Sequence, residues 1–383
     1  MPPRHPSIAH ALGFVRRRLG ALGPWESASP WRRRVHVACS GGPDSVTLVG
    51  LLHLLAEREG LVLSVGHVDH GLRPESADEG RLVQALAESC GLPFASTRLQ
   101  LTTGSGLAAR AREARREALA EQARTHGASV VALGHTATDQ AETMLLHLSR
   151  GAGLEGLAAM AELDSADPTD PATMARWRPL LDLDRVQTRE LATRMELTFV
   201  DDPTNVDPRH PRVKVRHEVL PVLRALNPKV EGALARAAAH ARQADDALAQ
   251  WVETEWTQRR SEADRTPGID GSGAEPSMGQ AHAGPPPGPK ASVTSGAWWS
   301  TEGMEGLPVA VRTRFVRRVC RAAGAPDDAL AARTLASIDD ALASPGPARS
   351  WDLHPHLRLC IASGRLWIEP STDCAPRGQP LTL

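Results

Sequence analysis

The residues with the clearest chemical meaning lie in VACSGGPDSVTLVGLL, residues 37–52. An apolar run ends at Cys39, a Gly41-Gly42 turn follows, and a helical pattern begins near Asp44 or Ser45. Glycines let the backbone approach a ligand closely, and the free N–H groups and dipole of a helix start favour an anion. The segment lacks the GxxxxGK[ST] pattern of a Walker-A loop. With Ser40, Pro43, Asp44 and Ser45 around the glycines and no lysine, it suits ATP chemistry that breaks the α–β phosphate bond and adenylates a substrate. The plainer reading is a glycine turn at a strand–helix junction. Cys39, inside the apolar run, reads as a small buried residue rather than a nucleophile.

Further groups of chemistry-bearing residues follow. HVDHGLR (67–73) gathers His67, Asp69, His70 and Arg73 at the end of a second apolar run. Strand alternation would put His67 and Asp69 on one side and His70 on the other. HxDH invites a zinc reading, but no further ligand cluster accompanies it. GHTATDQAET (134–143) places Gly134 at the end of a fourth apolar run and His135 after it, with Asp139 and Glu142 spaced i, i+3 on the helix beyond. Asp139 could equally serve the helix dipole and Glu142 be merely solvated. Arg112 and Arg115 lie three apart on a helix that also carries Arg110, Arg116 and Arg124 against Glu113, Glu117 and Glu121; by charge alone this is a solvated face. In DPRHPRVKVRHEVLPVL (207–223), Arg212, Lys214 and Arg216 alternate as on an extended basic edge, where mutual repulsion disfavours a purely structural role. RTRFVRRVCR (312–321) sets Arg314, Arg317 and Arg318 among its arginines opposite Val311, Phe315 and Val319. That reads either as a surface tracking a phosphate backbone or as a solvated face.

The elements that must position these groups show in the periodicity. Residues 34–39, 61–68, 94–99, 128–134 and 197–200 read as strands; 46–58, 76–90, 107–126 and 139–149 carry helical spacing, with Ser76 followed by Asp78 and Glu79 as a helix start. Such alternation implies right-handed βαβ units and a doubly wound parallel sheet, an α/β fold that binds ligands at the carboxyl ends of its strands. Residues 1–32 form an N-terminal helical segment and 33–216 the α/β domain. Residues 217–260 form an Ala/Leu/Arg-rich helical extension, and 261–297 a Pro/Gly/Ser-rich linker or insertion. Residues 298–370 form a small α+β domain, with helices over 307–324 and 328–343 and then short strands, and 371–383 a tail.

Composition bounds the rest. The chain has 383 residues, an apolar fraction of 41% and a charged fraction of 23%, a soluble globular profile of two to three domains. No run is long enough for a transmembrane helix and no secretory signal is evident, so a cytoplasmic protein is expected. Its five cysteines form no CxxC pair, which disfavours a disulfide framework, a zinc knuckle or a cysteine-held cluster. A formal net charge of −1 means that any RNA must be held by local basic patches. Only Lys214, Lys229 and Lys290 are lysines and tyrosine is absent, a bias of composition more than of function.

In this order and spacing, SGGPDS, HVDHGLR, ARxxR (Ala111, Arg112, Arg115), GHTATDQAET, RGAGLEGLAAM (150–160), RPLL (178–181) and DDPTN (201–205) resemble the tRNA(Ile)-lysidine synthetases, which are N-type PP-loop ATPases. The resemblance is dense over 33–225 and loose over 298–370. It implies the PP-loop (adenine nucleotide alpha hydrolase-like) fold. It also implies a two-step ligation: ATP adenylates the C2 carbonyl oxygen of the wobble cytidine in a CAU anticodon, and the amine of free lysine then displaces AMP. Codon reading passes from AUG to AUA. Partners would be tRNA(Ile) and lysine, with Mg²⁺ arriving on ATP, and many members of the family are dimers.

On this resemblance, Ser40, Gly41, Gly42, Pro43, Asp44 and Ser45 cradle pyrophosphate, with His67, Gly134 and His135 completing the ATP site. Asp44 and Asp139 are the catalytic carboxylates and the candidates for Mg²⁺ or for the lysine amine, with Glu142 beside them. Arg212 and Arg216 act on tRNA or transition-state phosphate. Asp69, His70, Arg73, Arg112, Arg115, Arg150, Arg178, Lys214, Arg314, Arg317 and Arg318 contact tRNA or substrate. The family usually has an aromatic where Arg116 stands and Asn where Val213 stands. The alternatives kept open are a PP-loop tRNA thiolase or another ATP-dependent tRNA-modifying enzyme, and a non-catalytic RNA-binding module.

Overall fold

The computed structural model describes residues 5–22, 34–69, 71, 76–100, 104, 106–166, 173–201, 211–260, 297–326, 330–344, 346–354 and 356–371. The chain divides into two compact units, 1–243 and 244–383.

The first unit opens with helix α1 (Pro6–Arg18). Strands and helices then alternate as β1 (Arg34–Ala38), α2 (Pro43–Glu59), β2 (Val62–Asp69), α3 (Ser76–Ser89), β3 (Phe94–Arg98), α4 (Leu107–Thr125), β4 (Val130–Ala132) and α5 (Ala137–Leu148). A short α6 (Leu154–Leu157), β5 (Leu163–Asp164), β6 (Ala175–Trp177) and α7 (Arg185–Arg194) follow. The sheet order is β3-β2-β1-β4-β6-β5, parallel except for the β5–β6 pair. The chain winds outward from β1 through β2 to β3, then returns to place β4 on the other side of β1. That reversal opens a crevice beyond the carboxyl ends of β1 and β4, where such sheets take ligands.

Burial explains the elements. Val35 and Val37 of β1 and Val65 of β2 are wholly buried, as β-branched residues in a sheet covered on both faces. Helix α2 is buried nearly all round, from Val46 to Leu52, because it packs against the sheet, α1 and α7. Gly60 in the left-handed conformation ends it. Under the sheet lies a buried polar network. His36 Nδ1 meets Ser64 Oγ at 2.8 Å and His36 Nε2 meets Gln122 Oε1 at 3.1 Å. The Gln122 amide donates to the His67 carbonyl at 3.0 Å and to Thr97 Oγ1 at 2.8 Å. A Cβ on Gly66 would stand 2.1 Å from His36 Nε2, so only glycine lets this network close.

Two expectations are corrected. Residues 197–200 form no strand: Leu197 and Phe199 pack on the core, and Val200 N–H donates to the Gly41 carbonyl at 2.9 Å instead of joining a ladder. The fifth parallel strand is instead the three-residue β6. The basic run at 212–216 is not an extended edge but helical: α8 (Pro211–Lys214) passes into a π turn (Val215–Val219) and α9 (Leu220–Leu226). Pro221 has no N–H to donate back to His217, and Leu220 N–H reaches Val215 O, so the helix widens there. In this helical form Arg212 and Arg216 share a face, Val213 is buried, and Lys214 points outward.

The extension foreseen over 217–260 is α9 and α10 (Val230–Arg259), interrupted at Asn227-Pro228; α10 crosses the boundary between units. Of the segment foreseen as a linker, all but Ala297 lies outside the described residues. The second unit contains β7 (Trp298–Ser300), α11 (Val309–Ala322), α12 (Ala332–Ala343), β8 (Arg349–His354), β9 (Leu357–Ala362) and β10 (Arg365–Pro370). The strands form an antiparallel sheet ordered β7-β10-β9-β8. Val311, Phe315, Val316 and Val319 of α11 pack on Trp299, Leu359 and Leu366 in a second core. The arginines of α11 are not all on the solvent side. Arg312 is buried in a bidentate pair with Asp339 at 2.8 and 3.0 Å, Arg314 pairs with Asp245, and Arg318 pairs with Glu253 and lies over the Trp256 ring. Much of that helix's charge therefore holds its own unit together, while Arg317 faces solvent.

Candidate active site

The loop SGGPDS follows β1 directly into the crevice. Gly41 has φ 86°, a conformation that disfavours a side chain, and it turns the chain from the strand into α2. Gly42 caps the helix and Pro43 opens it, so the N–H groups of the first turn face the crevice. Ser45 staples the loop: its hydroxyl donates to the Gly42 carbonyl at 2.9 Å and accepts the Ser40 N–H at 3.1 Å. Burial pushes the Cys39 thiol up, which keeps it protonated and inert. From the other side Gly134, at the end of β4, closes on the loop. A Cβ there would stand 3.1 Å from the Ser45 Cα and 3.2 Å from the Asp44 backbone.

Three carboxylates converge here from two helices. Asp44, in the first turn of α2, is held by Arg185: Nε and Nη2 each lie 3.0 Å from Oδ2. Thr188 donates its hydroxyl to Oδ1. Glu142, wholly buried on α5, is clamped by Arg216 at 2.6 and 3.2 Å. Burial raises the Asp44 and Glu142 carboxyls, and the guanidinium beside each opposes that rise. Asp139 lies between them and is only partly engaged. Its Oδ2 accepts the Thr136 N–H at 2.9 Å and the Thr136 hydroxyl at 3.0 Å in a capping box. His135, Arg185 and the Thr136 bonds hold its pKa below the usual carboxylate value against burial. The dipole-complementing reading of Asp139 is thus real, and its Oδ1 has no hydrogen-bond donor among the described residues.

The cations are arranged around these acids. Arg212 donates to Thr143 Oγ1 at 3.0 Å, which brings it beside α5 with Arg216. Arg115 reaches the crevice from α4, where its charge bears on Cys39, His67 and His135, and among the described residues it has no carboxylate partner. Arg112 and Arg116 point outward from α4, Arg116 in an i, i+3 pair with Glu113. Where the family usually has an aromatic, this chain thus has a solvated ion pair.

Two histidines complete the site. His67 Nδ1–H donates to the Cys39 carbonyl at 3.0 Å, and its Nε2 is buried without a partner among the described residues. Burial lowers its pKa, and burial lowers that of His135 to about 4, so both are neutral near pH 7. Asp69 accepts the Gly71 N–H at 2.7 Å and shapes the turn after β2. His70 and Arg73 lie outside the described residues.

Other residues expected at the site stand elsewhere. Arg150, in the turn after α5, and Lys214, on α8, are exposed. Arg178 is 6% exposed with its donors committed inside the protein, so it is not a surface contact for RNA. Arg314, Arg317 and Arg318 belong to the second unit. Among the described residues, no group of three His, Cys, Asp or Glu side chains could hold a metal by itself. Sequence reasoning passed over Arg185 and Thr188. Their signal was present in Asp184 and Gln187, which form a capping box that starts α7 immediately after RPLL.

Comparison with known proteins agrees with this geometry. Residues 21–223 match the family model described as a PP-loop domain. The chain is 38% identical over 340 residues to a tRNA(Ile)-lysidine synthase of Thermobifida fusca, covering 88% of this chain and 89% of that one. It is 37% identical over 311 residues to the enzyme of that name from Streptomyces coelicolor (80% and 76% covered). With that of Novosphingobium aromaticivorans it is 41% identical over 232 residues (61% and 68% covered). A glycine-turned loop at the switch point of a parallel sheet, facing a cluster of carboxylates and arginines, therefore sits within a sequence kinship spanning most of the chain, and the protein belongs to the tRNA(Ile)-lysidine synthase family of PP-loop proteins.

Proposed function

We propose that this chain uses ATP to join free lysine to C2 of the wobble cytidine in the CAU anticodon of tRNA(Ile), releasing pyrophosphate and AMP. In the first step the C2 carbonyl oxygen attacks the α-phosphorus of ATP and the bond to pyrophosphate breaks. In the second an amine of lysine adds at C2 and the oxygen departs with AMP. A carbonyl oxygen is a poor leaving group until it is esterified, so the adenylation supplies the driving force. The protein contributes position and charge.

The observation that carries this reading is the charge arithmetic of one crevice. Asp44 is matched by Arg185 and Glu142 by Arg216, which leaves Asp139 Oδ1 as the seat for an ammonium of lysine. Arg115, with no carboxylate partner among the described residues, suits the phosphates together with the N–H groups at the start of α2. Mg²⁺ travels on the phosphates and needs no protein cage. Arg212, beside α5 through its bond to Thr143, is in this reading the cation that neutralises charge building on transfer.

Labelled lysine supplied with Mg-ATP and a tRNA(Ile) transcript bearing CAU tests the proposal against a methionine tRNA control. Incorporation into the first alone is expected. Pyrophosphate release without incorporation would retain adenylation and reject lysine as the nucleophile. No release with any RNA would reject the enzyme reading.

A further inference from the structure

The segment after β6 carries Arg178 into the protein rather than toward RNA. Its main chain is fixed by Arg178 N–H donating to the Glu162 carbonyl at 2.8 Å. Its guanidinium is shared three ways. Nη1 donates to the Ala161 carbonyl at 2.7 Å, and Nη2 to Asp164 Oδ2 at 2.7 Å. Asp164 is itself anchored by Arg176 across the β5–β6 pair at 3.0 Å. The third nitrogen donates as well: Nε–H points at His135 Nδ1 at 3.2 Å.

That last bond has a chemical consequence. A guanidinium has no acceptor, so His135 Nδ1 must offer its lone pair and the ring proton of the neutral imidazole must sit on Nε2. We propose that Arg178 is a positioning residue that fixes His135 as the Nε2–H tautomer, so that His135 presents a hydrogen-bond donor to the ATP phosphates. The phosphate half rests on the ATP reading above; the tautomer half does not. His67, at the end of β2 on the other side of β1, is set oppositely: its Nδ1–H is spent on the Cys39 carbonyl, so its buried Nε2 is an acceptor. The charged groups around His135, which lies in the loop before α5, are Asp139 on α5, Arg178 after β6, Arg115 on α4 and Arg212 on α8. Burial, with the three arginines and against Asp139, disfavours a second ring proton, so His135 stays a neutral donor and its polarity is set by Arg178.

Three readouts on the full chain test this. Long-range ¹H–¹⁵N spectra of ¹⁵N-histidine protein, with the His135 signals assigned by their loss in His135→Gln, should show a bare Nδ1 and a protonated Nε2. A bare Nε2 overturns the proposal. Gln places its amide N–H near the Nε2 position and Asn near Nδ1. His135→Gln should therefore keep kcat/KM for ATP within about tenfold, whereas His135→Asn and His135→Ala lose about 100-fold, as when one preorganised donor is removed. Equal losses, or a better Asn variant, overturn it. Arg178→Met, which leaves Asp164 paired with Arg176, should give a mixture of tautomers and lower kcat/KM for ATP while KM for tRNA holds; an unchanged tautomer overturns it. The spectra need no turnover. A wild-type chain without ATP chemistry would reject the functional reading and the phosphate half together, and the tautomer would still be judged on its spectrum.

Discussion

At the scale of single residues, the site is a problem of which charges are already spent. Asp44 looks like the obvious ligand in the sequence, yet Arg185 and Thr188 occupy it, whereas Asp139 keeps one oxygen free among the described residues. The proposed reaction requires both, Asp139 as the seat for a cation and Asp44 as the anchor of Arg185. Asp139→Asn and Asp44→Asn should each abolish lysine incorporation while filter-bound tRNA persists; wild-type turnover in either would refute the assignment. Gly134→Ala is a sharper steric test. Its Cβ would press at 3.1 to 3.2 Å on the backbone of Ser45 and Asp44, atoms that cannot rotate aside. A loss of about 1–3 kcal/mol in stability is expected from overpacking, with a larger loss in kcat/KM for ATP than in that for tRNA, read by thermal melts and pyrophosphate release.

Among the elements, α4 and β2 are tied to β1 by the buried His36–Ser64–Gln122 network, which ends on the His67 carbonyl. Burial, reinforced by His126 nearby, lowers the His36 pKa to about 4, although its bond to Gln122 opposes this. The unfolded chain takes up a proton below the ordinary histidine value of about 6.5, and the folded chain does so only near 4. Stability should therefore be intact above pH 6.5 and fall as pH drops toward 4, by about 3 kcal/mol from this group. Urea midpoints between pH 7.5 and 4.5 should show the fall, and His36→Gln should flatten it while lowering stability at pH 7.5. The elements of 34–149 were readable because apolar runs and helical spacing alternate there without interruption. Where they were misread, burial had replaced pairing: Leu197 and Phe199 satisfy their strand-like composition in the core without a ladder. β6 is too short for any period to show. The helical turn of Arg212 and Arg216 was hidden because basic residues at every second position imitate a strand.

On the scale of the whole molecule, RNA binding must come from arginines left over after the fold has used the others. In the second unit Arg312, Arg314 and Arg318 are engaged with Asp339, Asp245 and Glu253, whereas Arg317 is exposed. If Arg317 contacts a phosphate, Arg317→Gln should weaken tRNA binding evenly across sequences and reduce the log–log salt slope by about one. Arg314→Gln should lower the melting temperature and leave the slope intact. Equal slopes for wild type and Arg317→Gln would remove that arginine from the interface.

The sequence by itself determined the loop, the order of the βαβ units and the family, because glycine turns, periodic burial and motif spacing are local properties written along the chain. Only the tertiary structure decided which charges are free. Arg185 reaches Asp44, Arg216 reaches Glu142 and Arg178 reaches His135 across separations of 141, 74 and 43 residues. Pairing over such separations depends on sheet order and helix packing, and no local pattern encodes it.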